Sequence, residues 1–225
     1  MNIRDFGWDS AFADSFDSFA ARGLRPERVI SSNRDYYRLI GSDGEFNARL
    51  AGKISRFSAG GGLVPVVGDW VAVQIEDGFH GSTIRAVVAR RTSISRKVSG
   101  WRTEEQVFAA NIDTMFIVNR LDDNFSLQHL ELNLAATPAA DVPIICVSAV
   151  TRQGFEQLDC FMRKGKTLAF TGSSGFGKST TRVELIRHES GSLLLDTPEL
   201  RELMPCRIRD WHHKHEKLRG LKDYD

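Results

Sequence analysis

The sequence predicts two folded units in series, a small antiparallel β-barrel followed by a mostly parallel α/β sheet. Three observations carry that expectation. Residues 28–96 hold short apolar runs broken by turn signals at roughly ten-residue intervals, the texture of a small barrel. From Ile112 onward the runs become continuously apolar and alternate with helical segments, as in strands buried on both faces of a parallel sheet. The strand-like run Thr167 to Phe170 then opens directly into Gly172-Ser173-Ser174-Gly175-Phe176-Gly177-Lys178-Ser179, which matches G-x-x-x-x-G-K-[S/T] at every specified position.

Composition narrows the class. A chain of 225 residues can hold one or two domains with a real core. Hydrophobic content of 41% and charged content of 26% are those of an ordinary globular protein. A formal net charge of +1 excludes whole-molecule steering toward nucleic acid or a membrane surface and leaves only local patches. No apolar run approaches the ~20 residues of a membrane helix, so no membrane partner is expected. The N-terminus, MNIRDFGWDS, is acidic and aromatic where a signal peptide would be basic and then apolar. Cys146, Cys160 and Cys206 are odd in number and far apart, which argues against a disulfide framework. The expectation is a cytoplasmic protein, monomeric by default.

Taken in order, Trp8, Phe12, Phe16, Phe19 and Ala20 recur at helical spacing, with Gly23 at the C-cap position and Pro26 beyond it. The stripe predicts a short helix packed on the core. Strands follow at 36–40, from Phe46 toward Phe57, at 66–73 and at 82–89, with a basic run at 90–97. An OB-fold is the natural candidate for such a set, since its strand face and loops bind oligonucleotides. Arg49, Lys53, Arg56, Arg85, Arg90 and Arg91 lie among Tyr36, Tyr37, Phe46 and Phe57, a mixture that suits RNA phosphates and base stacking and equally suits a solvated face over an aromatic core. Residues 97–108 read as a linker. Strands are expected at 112–119 and 142–149, a helix at 127–136, and a short helix opening at Gly154. Cys146, inside an apolar strand, reads as a core residue. Residues 183–187 and 192–196 flank a His188–Gly191 turn and predict a hairpin.

The glycine-rich stretch has a definite chemistry. Gly172, Gly175 and Gly177 let the backbone curl until successive N–H groups point at a polyphosphate. Lys178 reaches the β- and γ-phosphates, and the Ser179 hydroxyl suits Mg²⁺. Asp196, closing the second hairpin strand before Thr197-Pro198, stands where a P-loop protein carries the aspartate that orients the metal. The stretch predicts binding of a nucleoside triphosphate.

Six stretches in order, PVVGDWVAV, ISRKVSG, EEQVFAANIDTMFIVN, ICVSAVTRQGFEQL, GSSGFGKST and LLLDTPELREL, resemble the ribosome small-subunit-dependent GTPases, the RsgA or YjeQ family. The Val147-Ser148-Ala149 segment precedes the P-loop, which looks like the circular permutation of that family. The resemblance implies an OB-type barrel over 1–97, a circularly permuted P-loop GTPase domain over 98–203, and a remnant of a C-terminal zinc-bearing helical domain over 204–225. It implies GTP or GDP held by Gly172, Ser173, Ser174, Gly175, Phe176, Gly177, Lys178, Ser179 and Thr180, with Ser148 and Ala149 at the guanine. It further implies Mg²⁺ at Ser179 and Asp196, Zn²⁺ with Cys206 as a ligand, and GTP hydrolysis in late small-subunit assembly with contact to ribosomal RNA.

The chain also departs from the family pattern. Asn133 to Pro138 leads almost directly into the next strand without a base-reading segment. Thr180-Thr181-Arg182-Val183 passes straight to the next strand without a helix, and only Cys206, with His212, His213 and His215 downstream, survives of the zinc cluster. Glu199 replaces an expected glycine, and Phe176 stands inside the phosphate loop. These joins predict breaks in chain continuity near 136, 181 and 205. The alternative functions are a non-hydrolysing RNA-binding module that keeps the P-loop, and a P-loop ATPase or kinase without a ribosomal role.

Overall fold

The computed structural model describes residues 1–34, 36–52, 64–76, 81–97, 105–119, 143–148, 153–172 and 183–196. The expected helix at 127–136, all three joins and the 204–225 remnant lie outside them.

Helix α1 (Ser10–Ala20) starts where the Asp9 carboxylate accepts from the Phe12 N–H at 3.2 Å. It ends as the sequence predicts: Gly23 takes φ +72°, its N–H bonds Ala20 O, and the Leu24 N–H reaches back to Phe19 O. Phe12 and Phe16 are buried, and Trp8 stacks edge-on against Trp70 with centroids 4.7 Å apart. The aromatic stripe is therefore core.

Strands β1 (Arg25–Ser32), β2 (Tyr37–Gly41), β3 (Gly44–Leu50), β4 (Trp70–Gln74) and β5 (Thr83–Val87) close on themselves in the order β1-β2-β3-β5-β4-β1. Every pairing is antiparallel except β3 with β5. This is the expected OB-type barrel. Direct cross-strand partners point to the same side, so Glu27, Val29, Leu39, Val71, Val73 and Ile84 face inward. Arg28, Ile40 and Trp70 face outward, toward α1 and the second unit. Glu27 packs against Gly41 so closely that a Cβ there would lie 1.7 Å from its Oε2, so a side chain at 41 would displace the Glu27 carboxylate.

The 97–108 segment is not a plain linker: β6 (Ser93–Lys97) and β7 (Glu105–Ala110) form an antiparallel hairpin. Its pairing depends on a partner strand several residues away, which local polarity conceals. The second unit contributes β8 (Thr114–Asn119), β9 (Ile144–Ser148), β10 (Thr167–Gly172), β11 (Glu184–Arg187) and β12 (Leu193–Asp196). Helix α2 (Leu158–Phe161), preceded by a 3₁₀ turn, lies between β9 and β10. The predicted hairpin forms, β11 antiparallel to β12. Strands β12, β10, β8 and β9 are mutually parallel in that spatial order. Strand β1 pairs with β11 at Ser31 and Glu184, so barrel and second unit share one ten-stranded sheet.

A buried arginine joins the two units. Arg28, 2% exposed, donates to Gly68 O at 3.2 Å, Asn111 O at 3.1 Å, Thr167 Oγ1 at 2.8 Å and Phe6 O. Burial lowers its pKa to about 10, so it stays charged at neutral pH. Asn111, at φ +56°, donates from Nδ2 to Gly68 O. Gly68, at φ +90°, lies so close to the 110 backbone that a Cβ would sit 2.1 Å from Ala110 O. Beside it the buried Asp69 carboxylate accepts from Arg90 Nε and Nη2 at 2.8 and 2.7 Å and from the Val66 N–H at 2.8 Å.

Two predictions follow from these buried charges. Replacing Arg28 by Ala orphans several buried acceptors, and Arg28→Lys cannot span them because an ammonium lacks the planar fork. Both variants should lose on the order of 3 kcal/mol in urea unfolding, and a Lys variant with wild-type stability would refute the bridging role. Glu27, 1% exposed and with Oε2 lacking a partner among the described residues, has its carboxyl pushed up to about 7, chiefly by burial against the opposing charge of Arg25 at 3.7 Å. A raised folded pKa favours folding below pH ~4.5, and that advantage disappears as pH climbs through 7. Glu27→Gln should therefore raise the Tm relative to wild type much more at pH 8 than at pH 4; an equal shift at both would show that Glu27 does not titrate in this range.

Candidate functional site

The four parallel strands present their carboxyl ends along one edge of the sheet. Gly172 closes β10, Asn119 closes β8, Ser148 closes β9 and Asp196 closes β12. Gly172 is level with Val118, Val118 with Val147, and Asn119 with Ser148. Leu195 is level with Ala169, so Asp196 stands beside Phe170, two residues short of Gly172. At a rise of ~3.3 Å per residue it lies about 7 Å back from the glycine along the strand direction.

Connectivity singles out one crevice on this edge. From β8 the chain moves outward to β9, whereas from β10 it moves the other way, to β11 and β12. The strand order thus reverses between β8 and β10, and ligands of open α/β sheets bind outside the carboxyl ends at such a reversal. Gly172 and Asn119 border it. Hydrophobic strands fix the frame beneath: Phe116 and Phe170 stack at 5.0 Å, Leu168 and Leu194 are buried, and Phe161 of α2 meets Phe116 edge-on. At the opposite end of β10 the Asp113 carboxylate accepts from the Thr167 N–H and from Lys166 Nζ, both at 2.8 Å, and the Asp113 N–H returns a bond to Thr167 O. The phosphate-loop strand is held in register at its base.

Of the residues singled out from sequence, Gly172, Ser148 and Asp196 come together on this edge. Ser173, Ser174, Gly175, Phe176, Gly177, Lys178, Ser179, Thr180, Ala149 and Cys206 lie outside the described residues. Asn119, beside Ser148 and across the crevice from Gly172, was not singled out. Its signal is positional: it is the last residue of the strand next to the P-loop strand. Among the described residues no group of three or more His, Cys, Asp or Glu is placed to hold a metal ion. No helix among them is long and apolar enough to cross a membrane.

The barrel's basic residues divide into two sets. Arg90 is committed to Asp69. Arg91 lies 3.7 Å above the Phe12 ring and forms a bidentate pair with Asp9, whose pKa it lowers. Arg90 thus braces the barrel loop at 64–69, and Arg91 joins the start of α1 to the barrel in a pair that stays partly exposed. Arg85 bonds Gln74 through Nε and Nη2. Arg49 on β3 is exposed, as is Tyr36, while Tyr37 and Phe46 are half-buried. Lys53, Arg56 and Phe57 lie outside the described residues.

Comparison with known proteins agrees with this frame. No profile of a known protein family matches the chain. It is 30% identical to the small ribosomal subunit biogenesis GTPase RsgA of Opitutus terrae, over 90% of this chain and 73% of that protein. It is 30% identical to the protein of the same name from Syntrophotalea carbinolica, over 90% and 72% respectively. Both alignments run over 267 positions, more than the chain has residues, so those relatives carry segments inside the matched span that this chain lacks. Among solved structures, YjeQ from Thermotoga maritima superimposes with a TM-score of 0.57 at 21% identity, covering 80% of this chain and 76% of that one. YloQ, described as a circularly permuted GTPase, superimposes with a TM-score of 0.53 at 23% identity, covering 78% and 71%. The fold is an OB-type barrel followed by a P-loop sheet in permuted strand order.

Proposed function

The chain belongs to the RsgA family of small ribosomal subunit biogenesis GTPases, and from that premise we propose that it binds and hydrolyses GTP. It acts in late assembly of the small (30S) subunit, in the cytoplasm, with its barrel on ribosomal RNA. The observation that carries the reading is the strand reversal between β8 and β10, with Gly172 at the end of the strand that enters GSSGFGKS.

In this reading residues 1–97 form the RNA-binding unit and 98–203 the nucleotide unit. The loop from Gly172 to Thr180 wraps the phosphates with backbone N–H groups, which supply preorganised dipoles at no reorganisation cost. Lys178 offsets the charge developing on the transferred phosphoryl group. Ser179 and Asp196 are the residues that would hold Mg²⁺, which would supply positive charge against the phosphates. Ser148 and Ala149 are assigned to the guanine, and Ser148 pairs with Asn119 at the strand ends. A zinc site built on Cys206 has the family resemblance alone behind it.

Turnover of GTP, measured with and without purified small subunits, tests the assignment. Stimulation by the subunits is expected; GTP binding without turnover in either condition would instead mark a non-hydrolysing RNA-binding module. Lys178→Ala should cost on the order of 3 kcal/mol of transition-state stabilisation, a loss of about a hundredfold, and unaltered turnover would remove Lys178 from the site. RNA binding by the full chain should weaken steeply with added salt, because each phosphate contact releases counterions. Arg49→Ala should lower the log–log salt slope by about 1. A slope identical to wild type would take Arg49 off the RNA face.

A further inference from the structure

One transverse row of residues crosses from the barrel to the metal side of the nucleotide edge. In β2, Arg38 is the cross-strand partner of Ser31 in β1; Ser31 partners Glu184 in β11; Glu184 partners Asp196 in β12. Strand β1 pairs with β4 up to Arg28, takes a bulge between Val29 and Ser31, and pairs with β11 only at Ser31. Bulges re-aim a strand in this way and concentrate beside functional sites. Among the described residues the backbone pairing between barrel and hairpin is thus one residue pair wide, with Leu185, Leu193 and Leu195 in the apolar core that it shares with the barrel, and a cleft of about 300 Å³ opens next to it, lined by Ile30, Arg38, Ile40, Glu184 and Ile186 among others.

Across this joint Arg38 Nη2 bonds Glu184 Oε1, while Arg38 Nε lies 3.6 Å from Glu45 Oε2. The two side chains of the main pair are 40% and 34% exposed, so an external anion can reach them. The joint also has unspent bonding capacity: Arg38 Nε and the buried Ser31 hydroxyl have no hydrogen-bond partner among the described residues. Spare donors at a one-residue joint fit a contact that can rearrange, in contrast to the saturated Arg28 bridge.

We propose that Arg38 is a positioning residue for the metal-side strand end: its pairing with Glu184 holds the start of β11, and through it Asp196, and a backbone phosphate of RNA on the barrel competes with Glu184 for the same guanidinium. Guanidinium binds phosphate and carboxylate through the same planar fork, so the two are natural competitors. The proposal rests on the functional reading above, with RNA on the barrel and Asp196 facing the metal.

Backbone amide hydrogen exchange on the full chain reads the joint without nucleotide. In Arg38→Ala, exchange at 184–187 and 193–196 should quicken about two- to fivefold, the range that an exposed ion pair supports. Residues 70–74 of β4 should exchange as in wild type, which shows that the variant folds. Arg38→Lys, which keeps the charge, should restore most of the protection. A uridine oligonucleotide of about twelve residues, the size an OB-fold accommodates, should quicken the same amides in wild type and leave them unmoved in Arg38→Ala. The Mg²⁺ concentration for half-maximal GTP turnover should rise in Arg38→Ala and return toward wild type in Arg38→Lys. Unchanged exchange in Arg38→Ala, or an RNA response that survives the substitution, overturns the proposal. Wild type that binds RNA and turns over GTP while these arms fail overturns the coupling alone; wild type that does neither overturns the functional reading beneath it.

Discussion

A single buried guanidinium sets the relation between barrel and sheet. Arg28 donates bonds to the N-terminal turn at Phe6, the barrel loop at Gly68, the β7–β8 connection at Asn111 and the first residue of the P-loop strand at Thr167. All four acceptors are neutral. A charge held by neutral dipoles in a buried place is tolerated only when its hydrogen bonds are closely satisfied. The four segments are therefore confined to one arrangement, since displacing any of them strands part of the guanidinium. Asp69 with Arg90, and Asn111 in its left-handed conformation, extend the same polar core around Gly68. The aromatic cluster of Trp8, Phe12, Phe16 and Trp70 closes over it from outside the barrel.

That anchorage bears directly on the nucleotide edge. Thr167 is where β10 begins, and its backbone is doubly bonded to Asp113 at the start of β8. The two strands that flank the topological reversal are thus fixed at their amino ends by polar contacts. Along their length they are fixed by buried aliphatic and aromatic side chains. Their carboxyl ends, where Gly172 and Asn119 stand, have positions set by structure below them, which is what a preorganised phosphate site requires.

Barrel and second unit share one buried apolar core, which includes Val29, Ile30, Leu185, Leu193 and Leu195, and two of the polar contacts between them differ in character. At Arg28 the contact is buried and saturated with hydrogen bonds, and opening it would expose an unsatisfied charge. At Ser31 the backbone pairing is one residue wide among the described residues, the Arg38–Glu184 pair beside it is partly exposed, and donors are left unspent. The first supplies a rigid reference. The second, on the strand row that ends at Asp196, is the contact whose ion pair solvent can reach.

Much of this was legible in the residues themselves. The end of α1 at Gly23, the apolar strands expected at 112–119 and 167–170 and the hairpin around His188–Gly191 are all governed by local rules of spacing, turn chemistry and side-chain size, which a linear sequence states directly. The identity of the edge that gathers Gly172, Ser148 and Asp196 follows once the strands are parallel. What the sequence could not state was which distant groups meet. Arg28 reads as one more polar residue in a strand, and Arg90 and Arg91 read as part of a basic run that suits an RNA surface and an ordinary solvated face equally. Tertiary structure buries the first among backbone carbonyls and spends the other two on Asp69 and Asp9. Likewise β7, hidden in a polar stretch, exists only because β6 offers it a ladder, and the row from Arg38 to Asp196 exists only because a bulge turns β1 onto β11. Charges and edge strands acquire their roles from partners far away in the chain, and only the folded topology selects those partners.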